Sequence, residues 1–175
     1  MKLNRLLATA TASSLLFLIG CSSEEDPTGA EGLDASSTAA AQQTFEPTPA
    51  DPISTDDLSE TLVDPGLNVE WTMYGASVAP MTGDVVIHVR MKNLNDVPVP
   101  PDVIEGPTLY VNNNGTRTEI DRVSDDTTEM STGLDLPLGV GATTNLQYVF
   151  DTTTGMIWDA EFQIGNVTFE GDLFF

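Results

Sequence analysis

Few side chains in this sequence are equipped for chemistry, and their spacing narrows what they can do. The chain has one His and one Cys among its 175 residues. A lone His cannot build a two- or three-His metal site. A lone Cys permits neither an intrachain disulfide nor a multi-Cys zinc or iron–sulfur centre. His88 sits in the alternating run Val85 to Lys92, on the side shared with Arg90 and Lys92. That position reads as a surface cross-strand contact. General-base work would require a nucleophile and an orienting group, and the sequence identifies neither. Asp121, Asp125, Asp126 and Glu129 make the densest acidic loop. Their oxygens suit Ca²⁺, but no Gly stands where a calcium loop turns sharply. They are the metal-ligand candidates, and a solvated loop is the expectation. Asp102 and Glu105 lie among Pro98, Pro100, Pro101 and Pro107 and read as a polar connection, not as a carboxylate pair across a cleft. No catalytic residue and no cofactor is expected.

The aromatic residues offer binding chemistry instead. Trp71, Trp158, Tyr74, Tyr110 and Tyr148 could line a carbohydrate or peptide surface, although packing on a sheet is their commoner use. Tyr74 and Tyr110 oppose the apolar sides of their strands, so they are the first expected to be exposed and mark the expected partner surface. Charge limits the partner. Against 27 Asp+Glu stand 6 Lys+Arg, a formal charge of −21. Nothing would neutralise a phosphate backbone, which excludes nucleic acid.

The elements that must position these residues begin near residue 66. Val69, Trp71 and Met73 alternate with Glu70 and Thr72, and Val85, Ile87, Val89 and Met91 alternate with Val86, His88, Arg90 and Lys92. Both patterns predict strands with one buried face. Leu109 to Val111 and Thr118 to Ile120 flank Asn114-Gly115, the signature of a tight type I′ hairpin. That turn sets Leu109 opposite Ile120 and Val111 opposite Thr118. A turn at Gly165-Asn166 would likewise set Ile164 opposite Val167 and Phe162 opposite Phe169. Leu146, Tyr148 and Phe150 mark a further strand. Leu173-Phe174-Phe175 is expected to dock as an edge strand. No amphipathic helix of ten or more residues appears after 65. About seven short strands at this spacing predict a single Ig-like β-sandwich over 66–175, held by its aromatic and aliphatic core.

The preceding sequence differs in kind. Residues 22–65 carry eleven acids, no base, five Pro and a single aromatic, Phe45. Such composition predicts a disordered acidic tether over 21–65, extended by self-repulsion. Thr55 to Leu62 has the pattern of a transient helix. At the start, Lys2 and Arg5 precede about 14 apolar or small residues, a secretory signal over 1–20 that is too short to span a membrane. It ends in Leu18-Ile19-Gly20-Cys21, which resembles the bacterial lipobox. That resemblance implies diacylglycerylation of Cys21, cleavage before it, and a membrane-anchored lipoprotein facing outside the cytoplasm. Two or three acyl chains would make the anchorage stable.

Within the folded region, the strand ending in Asn93, the Leu109-Tyr110-Val111 strand with Asn-Gly after it, the Leu136 to Gly139 turn and Tyr148-Val149-Phe150-Asp151 are similar to the Ig-like domain of Gram-positive extracellular proteins that include the actinobacterial immunoprotective extracellular antigens. The resemblance covers about 70–160. It implies an extracytoplasmic sandwich and no catalytic residues. The functional expectation is a non-catalytic binding or structural module of the cell envelope, with an envelope protein as partner. An accessory subunit delivering a small ligand or metal to a membrane partner is the alternative, and an envelope hydrolase the third. The first requires an exposed aromatic patch, the second a groove with convergent polar groups, the third a cleft with a perturbed titrating pair.

Overall fold

The computed structural model describes residues 44–124, 130 and 132–175. The signal segment, Cys21, the tether up to residue 43, and Asp125, Asp126 and Glu129 lie outside the described residues. The described chain forms strands β1 (Ile53–Thr55), β2 (Thr61–Asp64), β3 (Val69–Val78), β4 (Val85–Asn93), β5 (Thr108–Asn113), β6 (Thr116–Ile120), β7 (Thr143–Phe150), β8 (Ala160–Ile164) and β9 (Val167–Gly171). Its helical content among the described residues is two 3₁₀ turns, at Pro101–Val103 and Thr154–Met156.

Two sheets pack as a sandwich. One has the order β1-β9-β8-β5-β6, the other β2-β3-β4-β7. Neighbours are antiparallel except β1 and β9, which run parallel. Counted from β3, the first, second and fifth strands share one sheet, and the third, sixth and seventh share the other. This is the Greek-key division of an immunoglobulin-like domain, with the fourth strand, β6, placed beside β5 rather than β7. The two hairpin registers follow from turn chemistry. Asn114 and Gly115 have φ of 51° and 81°, and Leu109 pairs with Ile120 and Val111 with Thr118. Ile164 pairs with Val167 and Phe162 with Phe169.

Alternation decides what fills the space between the sheets. Val69, Trp71, Val85, Ile87, Val89 and Met91 are buried on one side, and Leu109, Phe162, Ile164, Val167 and Phe169 on the other. Phe150 meets Phe162 edge-on, with ring centroids 6.1 Å apart. Each buried Phe contributes roughly 1.5–3 kcal/mol through removal from water.

The sandwich begins earlier than residue 66, which corrects the expected boundary of the tether. Phe45 is buried in the main core. Thr48 N–H donates to Gly66 O at 2.8 Å. β1 extends the five-stranded sheet and β2 the four-stranded sheet, Leu62 pairing with Trp71. Thr55 to Leu62 is therefore no helix: it runs from the end of β1 through a turn into β2. Strands of three and four residues are too short to show alternation, and the exposed Asp51, Asp56, Asp57 and Glu60 in the connections around them made this stretch look like tether.

Two buried polar side chains add to the apolar core that the sequence suggested as the sole bond between sheets. Asp64 has no solvent exposure. Its Oδ1 accepts from Gly66 N–H at 2.8 Å, Leu67 N–H at 2.9 Å and the Asn166 side-chain amide at 3.0 Å. Its Oδ2 accepts from Asn166 N–H at 2.9 Å and, at 3.4 Å, from the Trp71 indole. The β2–β3 turn in one sheet is thereby joined to the β8–β9 turn in the other. Gly165 has φ of 55°, and a Cβ there would strike the Asp64 carboxylate, so only glycine fits. Asn93, also fully buried, donates through its amide to Val97 O, Leu138 O and Gly139 O, and accepts from Asn95 N–H at 2.8 Å.

Burial works to raise the Asp64 pKa. The Asn166 backbone and side-chain donors, with Leu67 and Gly66 N–H, outweigh it and hold the carboxyl below its ordinary value. A depressed carboxylate pKa contributes stability above the unfolded-state value of about 3.9 and loses it as pH falls through the folded-state value. Asp64→Asn should cost about 2–4 kcal/mol in urea unfolding at pH 7 and should flatten the acid limb of stability against pH below pH 4. A second expectation concerns the boundary. A chain starting at Thr44 should unfold at the same urea midpoint as one starting at Ser22, whereas one starting at Gly66, without Phe45, β1 and Asp64, should be largely unfolded in the absence of urea.

Candidate binding surface

Strand registers define two ends of the sandwich. At one end lie the β2–β3 turn, the Gly165-Asn166 turn and the Asn93 network. There the chain comes in, with Phe45 beside Asn95, Asp96 and Val97. At the other lie the end of β3, the start of β4, the 151–159 connection and the 172–175 segment. Leu173 N–H donates to Ile157 O at 3.0 Å, and both side chains are fully buried. Their sequence neighbours consequently face out. Trp158 is 60% exposed, Phe174 50% and Phe175 61%, with Met156 at the margin. Leu173-Phe174-Phe175 therefore docks through the buried Leu173 side chain, with Phe175 lying against Gly75 of β3, and is not a strand. The sequence had named Trp158 only among several aromatics. Its exposure depends on the Ile157–Leu173 pairing, which joins segments distant in sequence.

The expected partner residues separate. Tyr74 is half exposed, and the Arg90 guanidinium stands 5.4 Å from its ring centroid. Tyr110 is half-buried beneath Arg117, whose guanidinium carbon lies 3.2 Å from the ring centroid. Arg117 is also held by Glu161 at 2.9 Å, which draws the Glu161 carboxyl below its ordinary pKa. Tyr74 and Tyr110 belong to different sheets and do not make one surface. Trp71 and Tyr148 are core residues. Burial raises the Tyr148 pKa to about 12, and its hydroxyl has no hydrogen-bond partner among the described residues. Asp121 is exposed. Among the described residues no three His, Cys, Asp or Glu side chains converge to hold a metal ion.

His88 has a neighbour that the sequence did not reveal. Ser77 Oγ lies 2.7 Å from His88 Nε2. Strict alternation from Val69 would turn Ser77 into the core. The register shift between Met73 and Ala76 reverses the pattern, so Ala76 pairs with Ile87 and Ser77 faces out beside His88. Burial lowers the His88 pKa, so the ring is neutral at pH 7. A serine on a neutral imidazole is two parts of a nucleophilic triad. The third is missing: among the described residues Ser77 is the only side chain hydrogen-bonded to His88, and none orients Nδ1.

Beside His88 the outer face of the four-stranded sheet opens into a cavity of about 650 Å³. Tyr74 and His88 border it from β3 and β4, Asn145 and Gln147 from β7, and the 134–138 segment walls it. The molecule thus has exposed aromatic side chains, Trp158, Phe174 and Phe175, toward one end and a mixed polar cavity on one face.

No protein family model, curated protein or solved structure matches the chain.

The two tryptophans are placed to report on this geometry. Acrylamide should quench Trp158 and leave Trp71, which is fully buried, unquenched. Trp158→Phe should abolish the quenchable fraction without shifting the melting temperature.

Proposed function

We propose that this chain is a lipid-anchored protein of the bacterial cell envelope, and that its sandwich is a non-catalytic module that binds an envelope protein. The observation that carries this reading is the exposure of large aromatic side chains. Trp158, Phe174 and Phe175 are each half exposed or more, toward the end of the sandwich opposite Phe45. Exposed Trp is the residue type most enriched at interface centres, and solvent-facing Phe pairs serve association better than folding. The acidity of the chain favours a partner with basic groups around its contact.

Cross-linking of intact envelopes followed by affinity recovery of the lipoprotein tests this. Trp158→Ala combined with Phe174→Ala should keep the melting temperature and reduce recovery of the cross-linked partner by roughly tenfold or more. Unchanged recovery would refute the assignment of the surface. Cys21→Ser should release the protein to the medium or leave an unprocessed precursor, and mature wild-type protein without acyl chains would refute the anchor.

A further inference from the structure

We propose that the cavity on the outer face of the four-stranded sheet is a binding site for a neutral oligosaccharide. Trp158, Phe174 and Phe175 are not among its lining residues, so the proposal does not depend on their role. Its volume, about 650 Å³, lies in the range that holds a small ligand. Tyr74 supplies the apolar platform. It stands at the bulge between Met73 and Ala76, on the outward side of β3 with Glu70 and Thr72, and is half exposed. Arg90 fixes the ring: its guanidinium sits 5.4 Å from the centroid and donates to Thr72 Oγ1 at 3.3 Å. A platform held in this way loses little freedom on binding.

The floor supplies polar groups of the kind that sugar hydroxyls need. Asn145 lies opposite Arg90 in the β4–β7 register and Gln147 lies opposite His88, so both face outward with the imidazole. The Asn145 side chain is exposed, and its amide offers a donor and an acceptor, which suits adjacent hydroxyls on one sugar ring. His88 Nε2 is engaged by Ser77, which leaves Nδ1 for a ligand. Leu136, 75% exposed on the wall, offers a second apolar contact for the C–H face of a pyranose.

Charge selects among ligands of this size. Asp135 lies in the wall, and the chain carries 27 acids against 6 bases. Uronic, sulfated or phosphorylated glycans would be repelled. Arg90, the cation nearest the platform, already faces Tyr74 and Thr72. The chemistry left is a neutral sugar chain: ring stacking on Tyr74 with hydroxyls directed to Asn145 and His88.

Two-dimensional amide NMR of the full chain, titrated separately with chitotetraose, maltotetraose and cellotetraose, tests the site. At least one should shift the amides of Tyr74, His88, Leu136 and Asn145 saturably, with Kd of about 1 mM or tighter. Tyr74→Ala and, separately, Asn145→Ala should weaken that binding at least tenfold. Both residues are exposed, and an unchanged melting temperature shows that each variant is folded. Trp158→Ala should leave it unchanged, which separates this site from the partner surface. The proposal is overturned by absence of saturable shifts with all three probes, by binding indifferent to both substitutions, or by saturable shifts at these amides with dextran sulfate or a lysine-rich peptide in place of the neutral sugars.

Discussion

A single buried carboxylate ties the two layers of this molecule together. The chain's only Cys is Cys21, so no disulfide joins the sheets. Asp64 stands in for one at the end where the chain comes in. It is an expensive residue to bury, since a charge removed from water costs several kcal/mol unless it is fully hydrogen-bonded. Here four donors at 2.8–3.0 Å meet it, three of them backbone N–H groups. Those N–H groups belong to the β2–β3 and β8–β9 turns and would be left without partners if the carboxylate were lost. The arrangement fixes both turns at once. It also explains why β2, a four-residue edge strand, holds its place, and why glycine occupies position 165.

The same constraint organises function by exclusion. At the Asp64 end, Asn93 and Asn95 knit the turns and the 97–99 and 138–139 segments into one polar network. Its groups face inward, toward each other. The opposite end has no comparable network among the described residues. It is closed by Leu173 and Ile157, whose neighbours Trp158 and Phe174 are left facing solvent. The bulge in β3 performs a related service on the sheet face, turning Ser77 toward His88. The binding we propose falls at these two places, where the chain carries apolar or polar groups outside the core.

Much of the architecture was legible in the sequence because it follows from period-two patterning and turn chemistry. Asn114-Gly115 and Gly165-Asn166 fixed two hairpin registers, and alternation in β3, β4 and β7 named most of the core. What escaped has specific causes. β1 and β2 are too short for a period to show, and Asp51, Asp56, Asp57 and Glu60 in the connections around them face solvent, so the segment 44–65 resembled tether. Asp64-Pro65-Gly66 carries turn chemistry, but its burial depends on Asn166, 102 positions away. The bulge at Tyr74-Gly75 breaks the alternation silently and hid the Ser77–His88 contact. The exposure of Trp158 depends on the Leu173 pairing. Tyr110 looked exposed because its strand position faces out, and Arg117 and Glu161 cover it.

Hydrogen exchange at single residues tests the account at its centre. The amides of Gly66, Leu67 and Asn166 donate to Asp64, and all three lie in turns, where exchange is ordinarily fast. If Asp64 holds the sheets together, these three amides exchange only through global unfolding, with the same opening free energy as β4 core amides such as Val89, and far more slowly than amides of the 151–159 connection. Exchange of Gly66, Leu67 and Asn166 at the rate of that exposed connection would contradict the account.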